Sequence, residues 1–124
     1  LSGCDLGGMV LEGLGLSSCN LSRVNLLNSH LLGCNLTAAD LTGACLRDAT
    51  VAEQSSCAAA VFDGAELQGC CFSECSLRGA TFLGANLHGV SFHEADCTDV
   101  RFDEDADLSL AAFYNCQPDG FGED

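Results

Sequence analysis

The sequence contains no lysine, and its four cations face eighteen carboxylates for a formal net charge of −14. Such a balance argues against a nucleic-acid backbone or an anionic membrane as a direct partner. No apolar run approaches the length of a membrane-spanning helix, and no segment reads as a secretory signal peptide. The most systematic absence is positional: two residues in every five are never Asp, Glu, Arg or Lys over the first hundred residues.

The first of these positions recurs from Leu1 through Leu6, Leu11, Leu16, Leu21, Leu26, Leu31, Leu36, Leu41 and Leu46 to Val51. The phase slips by one residue within "AEQSS" and resumes at Cys57, Phe62, Leu67, Phe72, Leu77, Phe82, Leu87, Phe92, Cys97 and Phe102. Two residues before each lies a smaller class, filled mostly by Cys and Ala, with Met9, Leu14 and Val24 among its larger members and Ser29 and Ser55 its polar ones. Glycine is phased too, two residues after the central position at Gly3, Gly8, Gly13, Gly33, Gly43, Gly64, Gly69, Gly79, Gly84 and Gly89. Apolar residues at every fifth position spiral around a helix and give no stripe, which excludes amphipathic helices and heptad coils. A recurrent glycine marks a recurrent tight bend. Each unit therefore reads as a short straight side followed by a corner.

The segments "CNLTA", "ADLTG", "AELQG", "CSLRG" and "ANLHG" resemble the pentapeptide repeat, A(D/N)LXX, and the resemblance runs through residues 1–104. It implies an all-β fold, a right-handed quadrilateral β-helix (solenoid) in which four pentapeptides make one square coil. Cys in the small slot departs from the family's usual Ala, and the slip near 52–56 implies a bulge at one corner. About five coils at roughly 4.8 Å spacing give a rod about 25 Å long. Residues about 20 apart stack in columns, so the phenylalanines fall in two facing columns after the slip.

The frame fails after Glu104, because continuing it puts Asp105 and Asp107 inside. A short capping helix is expected over residues 105–116, N-capped by Asp107, with Leu110, Phe113 and Tyr114 as cap or dimer contacts for a homodimer through the C-terminal end. Residues 117–124 read as an acidic tail. Leu1 is already in phase, so the chain reads as a fragment of something longer or as one that stacks on a partner.

Ten cysteines in a chain of 124 residues suggest a disulfide scaffold, but seven fall at interior positions where a reduced thiol acts as a small hydrophobe. A reduced, cytoplasmic protein is the expectation. "CCFSEC" (70–75) invites a metal, yet Cys70 and Cys75 face inward while Cys71 faces out, so tetrahedral convergence is poor. His30 is isolated, and His88 and His93 lie on adjacent faces. No nucleophile–base constellation emerges and a filled tube offers no pocket. The expectation is no catalysis, no cofactor and no metal.

What remains is an uneven surface. Residues 94–107 carry seven acids against Arg101, and Glu53, Glu74 and Glu94 occupy the same outward slot of successive coils. The candidate interaction surface is Glu53, Glu74, Glu94, Asp96, Asp99, Asp103 and Glu104. It suits a protein partner with a basic surface, as an interaction module or structural scaffold. The alternative implied by the family resemblance is a DNA mimic that binds a type II topoisomerase such as DNA gyrase and inhibits it or protects it from quinolones. Partner contacts centred on Leu27, Leu32 and Leu83 would instead mark a docking module.

Overall fold

The computed structural model describes residues 1–116 of the chain. Six strands, β1 (Val10–Glu12), β2 (His30–Leu32), β3 (Thr50–Ala52), β4 (Cys71–Ser73), β5 (Ser91–His93) and β6 (Ala112–Tyr114), form one sheet in chain order. Every pair is parallel. Isolated parallel bridges make three more columns, such as Asp5–Asn25–Cys45–Glu66–Asn86 and Asn20–Asp40–Val61–Thr81–Arg101. The chain is thus a four-sided β-solenoid, with about five coils between β1 and β6.

The five-residue unit follows from backbone hydrogen bonding. In the second coil the amides of Asn25, His30, Asn35 and Asp40 donate to Cys4, Met9, Leu14 and Cys19 of the coil before, at 2.8–3.0 Å. The next amide along each side donates the other way, as Leu26 does to Cys45 (2.8 Å). Between them the chain turns, with Cys19 N donating to Leu16 O (3.1 Å) and Ala44 N to Leu41 O (3.0 Å). The third residue of these turns has positive φ, as in Ser18 (59°) and Gly43 (68°), which is the type II geometry. The phased glycines are therefore corner residues. Where a corner holds another residue, as at Ala38 (60°) and Ala59 (59°), it adopts the left-handed conformation against its Cβ.

Both uncharged classes point inward. From Leu21 to Cys97 nearly every central and small-slot residue is buried. Phe62, Phe82 and Phe102 stack in one column at 4.9 and 5.5 Å, and Phe72, Phe92 and Phe113 in the facing one at 5.5 and 4.9 Å. The columns meet edge to face, Phe62 against Phe72 at 5.7 Å and 80°. In one small-slot column Cys34, Ser55 and Cys116 donate to backbone carbonyls. Cys34 Sγ donates to Leu11 O (3.2 Å), Ser55 Oγ to Ala52 O (2.8 Å) and Cys116 Sγ to Phe92 O (3.0 Å). The Cys34 amide in turn donates to Ser55 Oγ (2.9 Å).

The register changes from Leu31↔Val51 to Val51↔Phe72, so one extra residue enters after β3. It is accommodated at Glu53 and Gln54, both with positive φ (57° and 65°), in a turn closed by Ser55 N to Ala52 O at 3.3 Å. Positive φ at both central residues is the type I′ form.

The expected capping helix is absent: among the described residues there is no helix. A second extra residue enters between Phe102 and Asp107, seen as the step from Thr81↔Arg101 to Ser91↔Ala112. This shift turns Ala106, Leu108, Ala111, Phe113 and Cys116 inward and leaves Asp105 and Asp107 outside. Asp107 caps no helix. Its Oδ1 accepts from Ser109 N (3.0 Å) and Oγ (2.7 Å), as Asp40 does from Thr42 and Asp96 from Thr98. An isolated helix of this length is marginal, whereas β6 gains a ladder and the Phe92–Phe113 stack. Phe113 consequently belongs to the core column, while Leu110 and Tyr114 are exposed. The acidic tail lies outside the described residues.

Two corner substitutions separate backbone strain from packing. Ala59→Gly relieves a left-handed alanine and stabilises the protein by roughly 0.5–1 kcal/mol, the αL relief less the flexibility glycine adds to the unfolded chain. Gly64→Ala places a methyl in near-open space at φ +67°, its nearest neighbour 4.0 Å away, and destabilises by a similar amount. Urea unfolding of both variants measures the pair, and equal signs would rule out corner strain as the cause.

Candidate interaction surface

Four outward corners and four outward sides make up the surface. One corner runs through Gly13, Gly33, Glu53, Glu74, Glu94 and Asn115, all with φ between 52° and 65°. Glycine thus occupies this corner in the first two coils and glutamate in the next three. The first three residues of the expected surface share this edge.

Glu74 and Glu94 also line an open groove of about 350 Å³ with Gln54, Ser76, Asp96 and Asn115. Asp96 stands one side-residue away from the corner. Its carboxyl is held below the usual range by the Thr98 hydroxyl (2.6 Å), then by the Thr98 amide (3.0 Å), and least by Arg78. The Arg78 guanidinium lies 3.7 Å from Asp96 Oδ2 in the one ion pair found among the described residues, and both partners are solvent-exposed. A pair in that setting contributes little.

The other three acids are not brought to this edge. Asp99 sits at the next corner, with φ 61°. Asp103 and Glu104 follow the Thr81–Arg101 bridge on the next side. Asp103 also has a structural task that the sequence did not announce. Its Oδ2 accepts from Gly84 N at 2.6 Å, where Gly64 and Gly79 donate instead to the backbone carbonyls of Leu83 and Thr98. The carboxylate replaces a carbonyl displaced by the extra residue. The expected surface therefore divides into a glutamate edge with Asp96 beside it and three acids spread around the last coil.

Loss of solvent pushes Cys57 and Cys70 well above the ordinary thiol range and Cys75 up to about 12. None of the ten cysteines forms a disulfide. Among the described residues no group of three or more His, Cys, Asp or Glu is arranged to hold a metal, and no helix is long and apolar enough to cross a membrane. Sequence reading missed an exterior stack of His93 on Tyr114, with ring centroids 4.8 Å apart. The only signal for it was the 21-residue spacing of the shifted last coil.

Sequence comparison matches residues 16–51, 50–79 and 70–109 to the model of pentapeptide repeats, in eight copies. Among solved structures, a pentapeptide repeat protein of the Arabidopsis thaliana thylakoid lumen is similar at 30% identity, with a TM-score of 0.66 over 80% of this chain and 72% of that one. A pentapeptide repeat protein of the cyanobacterium Cyanothece 51142 is similar at 21% identity and TM-score 0.61, over 92% of this chain and 83% of that one, which bears on fold alone. A plasmid-mediated fluoroquinolone resistance protein aligns at 24% identity and TM-score 0.49, over 93% and 65%, too loosely to bear on function. No curated protein matches.

The depressed carboxyls make a signed prediction. Asp96 is lowered by Thr98, so its contribution is complete above the unfolded value near pH 3.9 and is lost as pH falls through the lower folded value. Thr98→Val removes the main hydroxyl contact. Its destabilisation, read by urea unfolding, is expected to be constant from pH 7 to about pH 4.5 and to shrink toward pH 2.5. A gap independent of pH would show that Thr98 acts through packing alone.

Proposed function

We propose a function from this premise: the chain belongs to the pentapeptide-repeat family. It acts as a non-catalytic rod that docks a protein partner with a basic surface along its glutamate edge. The observation that carries this reading is the exchange of Gly13 and Gly33 for Glu53, Glu74 and Glu94 at one left-handed corner. Glutamate there bears a backbone cost that glycine avoids, and like charges in neighbouring coils repel. Other residues adopt the same corner conformation elsewhere, as at Ala38 and Ala59, so it is the two successive like-charged neighbour pairs on one exposed edge that point to function. A rigid core holds these carboxylates at fixed spacing, so a partner meets a preorganised row of charge, with fast and salt-sensitive association. Ten free thiols suit a reducing compartment, and we place the protein in the cytoplasm.

A second reading is favoured by the rod's stiffness together with its charge of −14: it stands in for a DNA segment on the basic saddle of a type II topoisomerase. The C-terminal helix is absent, although Leu110 and Tyr114 of the expected homodimer contact stay exposed at that end, and this reading is stated for a single rod.

Peptides selected against the rod from a random display library test the first reading. The expected winners are rich in Arg and Lys, bind at least tenfold more weakly in 300 mM than in 50 mM NaCl, and fail on the Glu53→Gln/Glu74→Gln/Glu94→Gln variant. Winners that are apolar and indifferent to the triple substitution would overturn it, and would point to Leu27 and its neighbours. Titration into a DNA-supercoiling reaction of purified gyrase tests the second reading. Inhibition by the parent rod, and not by the triple variant, is the expected result, and unchanged supercoiling at a large excess of rod would dismiss it.

A further inference from the structure

One side of the rod lacks the charge that the other three carry. The outward residues of β2 to β5, two from each strand, include no Asp, Glu, Lys or Arg. Over the same coils the other sides carry Asp40 and Asp63, Arg47 and Glu66, and Arg78 and Asp96. Hydroxyl groups divide in the same way. Those of Ser22, Thr42, Thr81 and Thr98 are taken up by Asn20, Asp40, Asp63 and Asp96. On the β2–β5 side the hydroxyls of Thr50, Ser73 and Ser91 bond to no other group among the described residues.

The relief of this side suits a cylinder laid along the rod. Thr50, Ala52, Cys71, Ser73 and Ser91 make a floor of small, partly exposed side chains, with Leu32 and His93 rising at its two ends. Along one flank runs the glutamate edge, Glu74 following Ser73 and Glu94 following His93. Along the other flank Gly69 and Gly89 carry no side chain, and the Asp48 carboxylate lies folded against Gly69. Charge therefore stands along one flank of an uncharged trough.

Charge and spacing select the occupant. Coils recur about every 4.8 Å, so Glu53, Glu74 and Glu94 are matched by cations at about 0, 5 and 10 Å along the axis. On an α-helix residues i, i+3 and i+7 rise by about 4.5 and 10.5 Å and stay on one flank. An extended strand returns to the same flank only about every 6.7 Å, and overshoots the third glutamate by about 4 Å. A second copy of this chain cannot supply the cations, because it has no lysine and its four arginines share no column. We propose that the outer face of β2 to β5 seats an α-helix of a partner protein, lying along the rod axis. Small or apolar residues of that helix rest on the sheet, and Arg or Lys at i, i+3 and i+7 reach Glu53, Glu74 and Glu94. This seat rests on the docking reading of the glutamate edge, and adds the partner's secondary structure and the side of the rod it covers. From β2 to β5 the seat is about 14 Å long, which matches a helix of about ten residues.

Fluorescence anisotropy of the full chain with three labelled peptides of about 16 residues tests the seat. One is rich in Ala and Leu, locked into a helix by a side-chain bridge, with Arg at i, i+3 and i+7. A second has the same composition with Arg at alternate positions, and a third is the first without its bridge and with proline at two central positions. The locked helix is expected to bind at least about tenfold more tightly than the other two, and to lose at least about tenfold on the Glu53→Gln/Glu74→Gln/Glu94→Gln variant. Ser73→Gln/Ser91→Gln raises the floor without changing charge and weakens binding by roughly fivefold or more, whereas Leu83→Gln on the opposite side leaves it unchanged. Equal binding by all three peptides, still dependent on the glutamates, overturns the helix seat and leaves the docking reading standing. Helix binding that ignores the triple substitution overturns both. No binding of any peptide up to about 1 mM overturns the seat, and the display selection then still decides the edge. Should the Ser73/Ser91 variant fail to fold, amide chemical shifts of the unmodified protein decide. The locked helix moves the β2–β5 amides if the seat is correct, and shifts centred on another side overturn it. The same shifts produced by raising the protein concentration alone assign the face to a second copy, which overturns it as well.

Discussion

Each coil is held to the next by alternating amide donors, as when Asn25 donates back to Cys4 and Leu26 forward to Cys45. That exchange keeps neighbouring coils at strand-pairing distance on all four sides. The interior is then a narrow tube with room for two side chains per five residues, and a charge placed there would be buried unpaired. The uncharged beat in the sequence, the phenylalanine columns and the outward placement of every described carboxylate follow from this one constraint. So does the tolerance of the fold for an extra residue: the insertions at Glu53–Gln54 and after Phe102 both fall at corners, where they alter a turn and interrupt pairing only locally, at Ala52 and beyond Asn86, while the six-stranded sheet continues.

The same constraint determines which parts of the molecule could be read in advance. Stacking columns were legible because they concern residues that must be apolar, and the first slip was legible because Cys57 restarts the beat. The second slip was obscured by "DEDAD" (103–107), where holding the old frame forces Asp105 and Asp107 inside. A repeat in the shifted frame, "ADLSL" (106–110), is present there, but Asp107 is also a good N-cap residue and so equally marks a helix start. Asp side chains close corners here, at Asp40, Asp96 and Asp107, through a hydrogen-bonding habit common to turns and caps. Local chemistry could not choose between the two, and the ladder with β5 did.

The surface was less legible. The glutamate edge could be placed from spacing alone, since Glu53, Glu74 and Glu94 inherit the periodicity of the core. Structural duties of outward acids could not. Asp103 substitutes for a backbone carbonyl and Asp96 is engaged by Thr98, so neither is wholly free for a partner. The hydrogen bonds of one interior column were similarly opaque, because Cys34 and Ser55 meet backbone groups there while Leu14 and Ala95 fill the same column with no side-chain donor. Partner identity is the least constrained of all, since stacking prescribes nothing about residues that point to solvent.

If the coil-on-coil ladder is what organises the chain, it extends to the last described residues, and NMR can examine that point directly. The account predicts a strong nuclear Overhauser contact from the Ala112 amide to the α-proton of Val90, whose carbonyl it reaches at 2.9 Å, and ring contacts between Phe92 and Phe113. A run of sequential amide–amide contacts with i to i+3 contacts across residues 107–114, and none from Ala112 to Val90, would contradict it.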